Sequence, residues 1–152
     1  MGAWEIRRAE SGGALHGQEL WLRGEVLRKP LGMAPETAVT PYDHEALRFL
    51  ALADGAVVGC VLLHVRGEEG KLFQMGVLPA HRGRGVGRDL VAALEEEARR
   101  LGLRRVFCHA RHHAVGFYEG LGYRVVGEPF EEIGMEHFRM EKVLEDDRRA
   151  AV

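Results

Sequence analysis

The sequence predicts an α/β protein built on a mixed β-sheet. Three observations lead there: strand-like runs outnumber helical ones, a hairpin signal comes early, and strand-helix-strand units come late. AWEIRRAE alternates well enough for a short first strand. After the patch SGGALHG, the run QELWLRGEVLRKPLG carries apolar residues at helical spacing and is closed by Pro30 and Gly32. MAPETAVTPYDHE has two prolines and little periodicity, so a loop is expected, long enough to border a substrate. ALRFLALADGAVVGCVLLHV reads as two strands about a tight turn at Asp54-Gly55, the second apolar on both faces and hence central. KLFQMGVLP is a further strand stopped by Pro79. Val86, Leu90, Val91, Leu94, Ala98 and Leu101 then trace one face of a helix that ends at Gly102, with Glu95 and Glu96 four residues before Arg99 and Arg100 on the other face. RRVFCHA is a buried strand, AVGFYEGLG a short helix, and YRVVGEPF and HFRMEKV close the sheet. These elements form one domain over residues 1–144, followed by a charged tail over 145–152.

Composition narrows the function. The 152 residues suffice for one core, and 23 acidic residues leave a formal net charge of −2. The arginine-glycine stretch has no interleaved aromatic residues, so no nucleic acid is expected as partner. Cys60 and Cys108 sit inside apolar runs and read as small buried hydrophobes in a reducing compartment, not as a bridge or a metal pair. No signal core and no membrane-length apolar run is visible, so a cytoplasmic protein without a membrane partner is expected.

The stretch GVLPAHRGRGVGRDL joins a strand to a helix through glycines. Such a junction suits an anion, because the first helical turn has N–H groups without acceptors and the positive end of the helix dipole. Glycines let backbone approach a ligand closely. A P-loop would need Gly-Lys-Ser/Thr where Gly85-Val86-Gly87-Arg88 stands, and a dinucleotide site would need GxGxxG where Gly83, Gly85 and Gly87 run as GxGxG. The third ligand class such a junction could take is a coenzyme A pyrophosphate, and a family resemblance at the same residues speaks for it.

At Arg82-Gly83-Arg84-Gly85-Val86-Gly87 the sequence resembles the Q/R-x-x-G-x-G/A signature of the Gcn5-related N-acetyltransferases (GNAT), and AVGFYEGLGYRVVG resembles their A-x-x-x-Y-x-x-x-G-F/Y pattern. The resemblance runs from the first strand to HFRMEK. It implies the acyl-CoA N-acyltransferase fold, acetyl-CoA as cosubstrate, no metal, and an amine acceptor. It also implies that N–H groups from Arg82 to Arg88 cradle the pyrophosphate while the splayed strand at Met75, Gly76 and Val77 pairs with the pantetheine arm. The N–H of Met75 or Val77 would meet the thioester oxygen. A homodimer through the closing strands is in keeping with the family. FEEIGMEHFRMEK resembles the closing segment F-x-E-x-G-I-P-H-x-x-M of a bacterial subgroup with ElaA-like and YjcF-like members, matching at Phe130, Glu132, Gly134, His137 and Met140 and departing at Met135 and Glu136. LRGEVLRKPLG resembles its first helix, and Arg111 stands where many members have asparagine.

Acetyl transfer needs a neutral amine and a proton for the departing thiolate. The resemblance assigns the proton to Tyr118, whose phenol, near its ordinary value of about 10, matches the basicity of a thiolate. The base is open among His64, His109, His112, His113 and His137, because only histidine titrates near neutrality unaided. His109, among apolar neighbours, reads as a satisfied core histidine. His112-His113 belongs to a strand-to-helix loop, where adjacent side chains diverge too far to hold a metal. His137 is weighed as the base, with Glu132 beside it on the amine side, against a histidine that only packs. Glu36, Asp43, Glu45, Glu132 and Glu136 offer acid for a cationic amine. The competing class is a noncatalytic acyl-CoA binding or sensing domain, against which Tyr118 speaks.

Overall fold

The computed structural model describes residues 3–144; the tail over 145–152 lies outside them. Strands are Glu5–Ala9 (β1), Leu47–Ala53 (β2), Ala56–Arg66 (β3), Glu69–Val77 (β4), Arg105–Arg111 (β5), Arg124–Val125 (β6), Phe130–Glu132 (β7) and Met135–Val143 (β8); helices are His16–Leu27 (α1), Val86–Arg100 (α2) and Val115–Gly120 (α3). The strand order is β1-β2-β3-β4-β5-β8-β6, with β7 paired to β8. This is the expected mixed sheet flanked by helices. Contacts gather the chain into two units, one comprising the chain up to His64 with Leu72–Leu94, the other Val65–Lys71 with the chain from Glu95 on.

In the first unit the hairpin β2–β3 turns at Asp54 and Gly55, with φ of 51° and 79°. Two positive φ values make the turn whose twist matches paired strands. β3 is buried from Val57 to Leu63, as a central strand must be. Leu22 of α1 packs on Leu50, Leu52, Val57 and Cys60. Helix α1 stops at Leu27, earlier than expected, and Pro30 sits in a following 3₁₀ turn, Lys29–Leu31. The proline ring excludes the helical conformation from the residue before it, so the helix ends short of the proline itself.

The segment expected as an open loop is instead pinned by two 3₁₀ turns, Pro35–Ala38 and Asp43–Glu45. Four charges under it explain why. Arg23 Nη1 donates to Glu19 at 2.9 Å and to Asp43 at 2.6 Å, and Arg23 Nη2 donates to the Ala38 carbonyl. Arg48 Nε donates to Glu19 at 2.8 Å. Glu19, Arg23 and Arg48 are fully buried, with Asp43 nearly so. Two cations and two anions cancel, and the forked guanidinium geometry satisfies the carboxylates. Asp43 is therefore not available to an incoming amine, contrary to its reading as a substrate carboxylate. Burial alone would raise its pKa, but the hydrogen bond and charge of Arg23, with bonds from Thr40, hold it below the ordinary carboxylate range.

In the second unit β5 and β8 pair antiparallel along their length, Cys108 opposite Met140 and Arg111 opposite His137. The expected strand YRVVGEPF is split in two: Arg124 and Val125 pair with β8 as β6, and Phe130 pairs with it as the first residue of β7. An unanticipated hairpin, β7–β8, turns at Ile133 and Gly134, with φ of 47° and 75°. Helix α2 ends in a Schellman turn in which Leu103 N–H meets the Ala98 carbonyl and Gly102 N–H that of Arg99. The turn carries Leu103 inward and leaves Leu101 exposed, so Leu101 is not part of the apolar face. Nor does Glu95 stand on the solvent side. It is buried, accepting from the Tyr123 hydroxyl at 2.8 Å and from Lys142 at 2.9 Å, while Arg100 pairs with Glu97 rather than Glu96.

Glu19→Ala leaves Arg23 and Arg48 buried against a single carboxylate and is expected to cost about 3–5 kcal/mol in urea unfolding. Glu5→Ala, which removes an exposed pair with Arg7, is expected to change stability by less than about 0.5 kcal/mol. Acid weakens the cluster through Asp43: its carboxyl, held low by Arg23 and Thr40 against burial, stabilises fully above about pH 3.9 and loses this as pH falls through its folded value. Equal costs for the two variants would contradict the account.

Candidate functional site

The start of α2 is held against β3 by a close approach. A Cβ on Gly59 would lie 3.1 Å from Leu90 Cδ1 and 3.2 Å from Val86 Cγ1, so only glycine lets this end of the helix lie so low. Gly83 and Gly85 have φ of 76° and 99°, a region that an L side chain enters at a cost of about 1–2 kcal/mol. The Gly85 carbonyl accepts the Asp89 N–H at 3.0 Å and opens the helix. The N–H groups of Val86, Gly87 and Arg88 therefore have no acceptor within the helix. Arg82 differs from expectation, because its N–H already donates to Pro79 at 3.3 Å and its Nε to the Val77 carbonyl at 2.9 Å. That arginine braces the loop. The expected cradle therefore narrows to Gly83 through Arg88, with Arg84 exposed within it. Asp89 is held aside by Trp4, whose indole N–H donates to it at 2.9 Å.

β4 enters this loop through a kink. Gln74 has φ of 52° inside the strand, its carbonyl accepts from Cys60 Sγ at 3.2 Å, and its own Oε1 is buried without a partner among the described residues. Backbone turned this way interrupts the regular pleat at Gln74, just before Met75, Gly76 and Val77, which complete β4. Cys60 and Cys108 are free and buried, and burial pushes both thiols up to about 12, which makes them inert.

Tyr118 is buried on α3, edge-on to Phe117 at 5.0 Å and to Tyr123 at 5.6 Å. Burial, and then the Cys108 thiol, hold its phenol well above the ordinary value near which it was expected. It stays protonated across physiological pH.

The histidines sort by face. Residues directly opposite in an antiparallel pair share a face, and neighbours along a strand alternate. Cys108, Met140 and Lys142 thus face the α3 side, where Lys142 lies 5.8 Å from the Tyr123 ring, while His109, Arg111, His137 and Arg139 face the other way. Tyr118 and His137 are not brought together on one face. On the histidine face, Glu132 joins two imidazoles: His109 Nδ1 at 3.2 Å and His137 Nε2 at 3.7 Å. His137 is buried, and its Nδ1 lies 2.9 Å from the Met135 carbonyl. Its side chain is only 4% exposed and its Nε2 is shut in against Glu132, so an incoming amine reaches it less readily than it reaches His109. His109 is no core residue, its side chain being 24% exposed. Burial first, then Lys71 and Arg139, lower its pKa against the opposing pull of Glu132. The His109–Glu132 pair escaped sequence reasoning, although the Ile133-Gly134 turn between two strand-like runs was a signal for it. His64 stacks on Tyr42, and His112 lies 6.0 Å from the Phe138 ring. Among the described residues no group of three His, Cys, Asp or Glu could hold a metal ion, and no helix is long and apolar enough to cross a membrane.

The family model for the acetyltransferase (GNAT) domain matches residues 32–144. The chain belongs to the GNAT acetyltransferase family. Among GNAT relatives it is similar to the N-acetyltransferase YjcF of Bacillus subtilis, itself uncharacterised, with 31% identity over 80% of this chain and 88% of YjcF. Two other Bacillus subtilis relatives, 36% and 35% identical, are matched over only 63% and 53% of their own length. The crystal structure of Escherichia coli ElaA shares the fold, with a TM-score of 0.78 and 21% identity over 93% of this chain and 99% of ElaA. An acyl-CoA N-acyltransferase from Pseudomonas aeruginosa does likewise, with a TM-score of 0.78 and 22% identity over 92% of this chain and 99% of that one.

Coenzyme A is expected to raise the melting temperature, a ligand at about 100 times its Kd contributing ~2.7 kcal/mol. A Cβ at Gly85 would meet the Arg88 guanidinium at 2.7 Å, in a backbone conformation that valine resists. Gly85→Val should therefore abolish the coenzyme-induced shift in a thermal melt, and an undiminished shift would remove the cradle assignment.

Proposed function

We propose that this chain transfers the acetyl group of acetyl-CoA to a primary amine of a small molecule or protein, and that residues 1–144 act as one domain. The observation that carries the reading is the start of α2. Its unpaired first-turn N–H groups follow two glycines in left-handed conformation, as a pyrophosphate cradle requires. Gly83 to Arg88 would hold the pyrophosphate, with Arg82 bracing the loop. Met75, Gly76 and Val77, beyond the kink at Gln74, would pair with the pantetheine arm as an added strand does. Similarity to YjcF, together with the closing segment through Phe130, Glu132, Gly134, His137 and Met140, supports membership of the ElaA-like and YjcF-like subgroup.

In the transfer the amine nitrogen bonds to the acetyl carbon as the carbon–sulfur bond breaks. The amine gives up one proton and the thiolate takes one. Tyr118, which the family pattern assigns to the thiol, supplies the second proton and recovers it from solvent. Its raised pKa keeps the phenol protonated until the thiolate departs. Glu132 stands on the amine side.

A thiol-release screen with acetyl-CoA against amines, polyamines, amino acids and peptides tests the reading. Release with at least one class supports it; coenzyme binding with no release from any class would favour a sensing domain instead. Tyr118→Phe is expected to keep coenzyme affinity and slow turnover by roughly 10²-fold. Because burial holds the phenol high, the wild type should show no alkaline limb from Tyr118 below about pH 10. Unchanged turnover in Tyr118→Phe would sink its role as the acid.

A further inference from the structure

We infer that the base of this reaction is His109, accepting the amine proton at Nε2, and that Glu132 is its positioning residue. The inference rests on the acetyltransferase reading and names the group it leaves open. His109 Nδ1 lies 3.2 Å from Glu132 Oε1. A carboxylate only accepts, so the imidazole must donate from Nδ1, which leaves its lone pair on Nε2. This is the arrangement by which a carboxylate fixes a catalytic imidazole in the basic tautomer and stabilises the imidazolium once it forms.

Two further features hold Glu132 for this task. The β7–β8 hairpin sets Phe130 opposite His137 and Glu132 opposite Met135, and it does so through Ile133, a β-branched residue in left-handed conformation. Backbone strain of this kind persists only where the surroundings demand it. The buried His137 ring packs beside the carboxylate, its Nε2 3.7 Å from Glu132 Oε2, while its own Nδ1 donates to the Met135 carbonyl. The Phe130 ring stands edge-on to His109 at 4.9 Å and covers one side of the pair.

The charges around His109 favour a neutral ring. Burial, the largest influence, lowers its affinity for a proton, Lys71 from β4 and Arg139 from β8 act the same way, and together they prevail over the opposing pull of Glu132 from β7. Arg139 is itself drawn toward Glu69 and Glu141, at 3.2 and 2.8 Å, and Arg111 on the same face feels Glu132. His109 is therefore unprotonated at neutral pH and ready to accept. In the reaction the amine proton passes to Nε2 as the carbon–nitrogen bond forms, the resulting imidazolium is held by Glu132, and the proton leaves to solvent.

The test pairs imidazole titration with kinetics. Nitrogen-15 spectra of the full chain, labelled at histidine, should show His109 with its proton on Nδ1 and a midpoint below about 6.5. Glu132→Gln removes the group that favours the charged ring, so the midpoint should fall further, and the amide should shift the proton toward Nε2. With acetyl-CoA and a panel of spermidine, tyramine, lysine and a glycyl peptide, kcat/KM should rise through the same midpoint and then level. Glu132→Gln should move that acidic limb to lower pH and reduce kcat by roughly 10-fold or more, and His109→Gln should remove the limb with most of the rate. An Nε2–H tautomer in the wild type, or an acidic limb that survives His109→Gln, would overturn this inference while leaving acetyl transfer intact. Absence of thiol release by the wild type from every amine would overturn the transferase reading itself, and the assignment of a base with it.

Discussion

A helix must leave its first N–H groups without intrahelical acceptors, and the organisation of this chain around α2 follows from that constraint. Val86, Gly87 and Arg88 carry those groups. Their neighbours keep the end of the helix accessible to a ligand. Gly59 lets the helix lie on β3, Trp4 holds the carboxylate of Asp89 aside, and Arg82 braces the loop against Val77 while its own N–H is spent on Pro79. The left-handed glycines at 83 and 85 then turn the backbone so that its amides rather than its side chains line the approach. An anion is what such a surface takes.

Charge is handled in two ways. In the unit containing α1, four charges are buried, three of them completely, and their cost is met because Arg23 and Arg48 fork between Glu19 and Asp43. That arrangement fixes the segment over residues 35–45 and spends its carboxylate on structure. On the face of β5 and β8, by contrast, His109 and Glu132 remain partly exposed, with side chains 24% and 41% accessible. A neutralised, sealed cluster has no proton to exchange with a ligand, whereas a half-exposed pair with a free ring nitrogen does.

The elements with regular periodicity were legible in the sequence. β2, β3, β4, α2 and β5 stand where alternation, apolar runs and the Asp54-Gly55 turn put them, and the glycine-arginine loop was visible by its composition. What escaped were features decided by tertiary partners. Ile133 at a hairpin turn defies β-branched preference, so β7 went unseen, and with it the meeting of Glu132 and His109. Glu95 keeps the ion pair with Arg99 that its spacing announced, at 3.8 Å, but its burial and its bonds from Tyr123 and Lys142, 28 and 47 residues away, were not readable from the helix pattern. His137 matched a family segment by position, but its burial and its bond to Met135 depend on the hairpin that the one-dimensional pattern did not reveal.

The central claim, that the start of α2 is an anion cradle for the coenzyme, is tested most directly by mapping backbone amide shifts of the nitrogen-15 labelled chain during titration with coenzyme A. The account predicts the largest changes at Gly83 to Arg88, with a second set at Met75 to Val77, and smaller ones at Arg82, whose amide is already bonded. Changes centred elsewhere, with the amides of Gly83 to Arg88 unmoved at saturation, would contradict it.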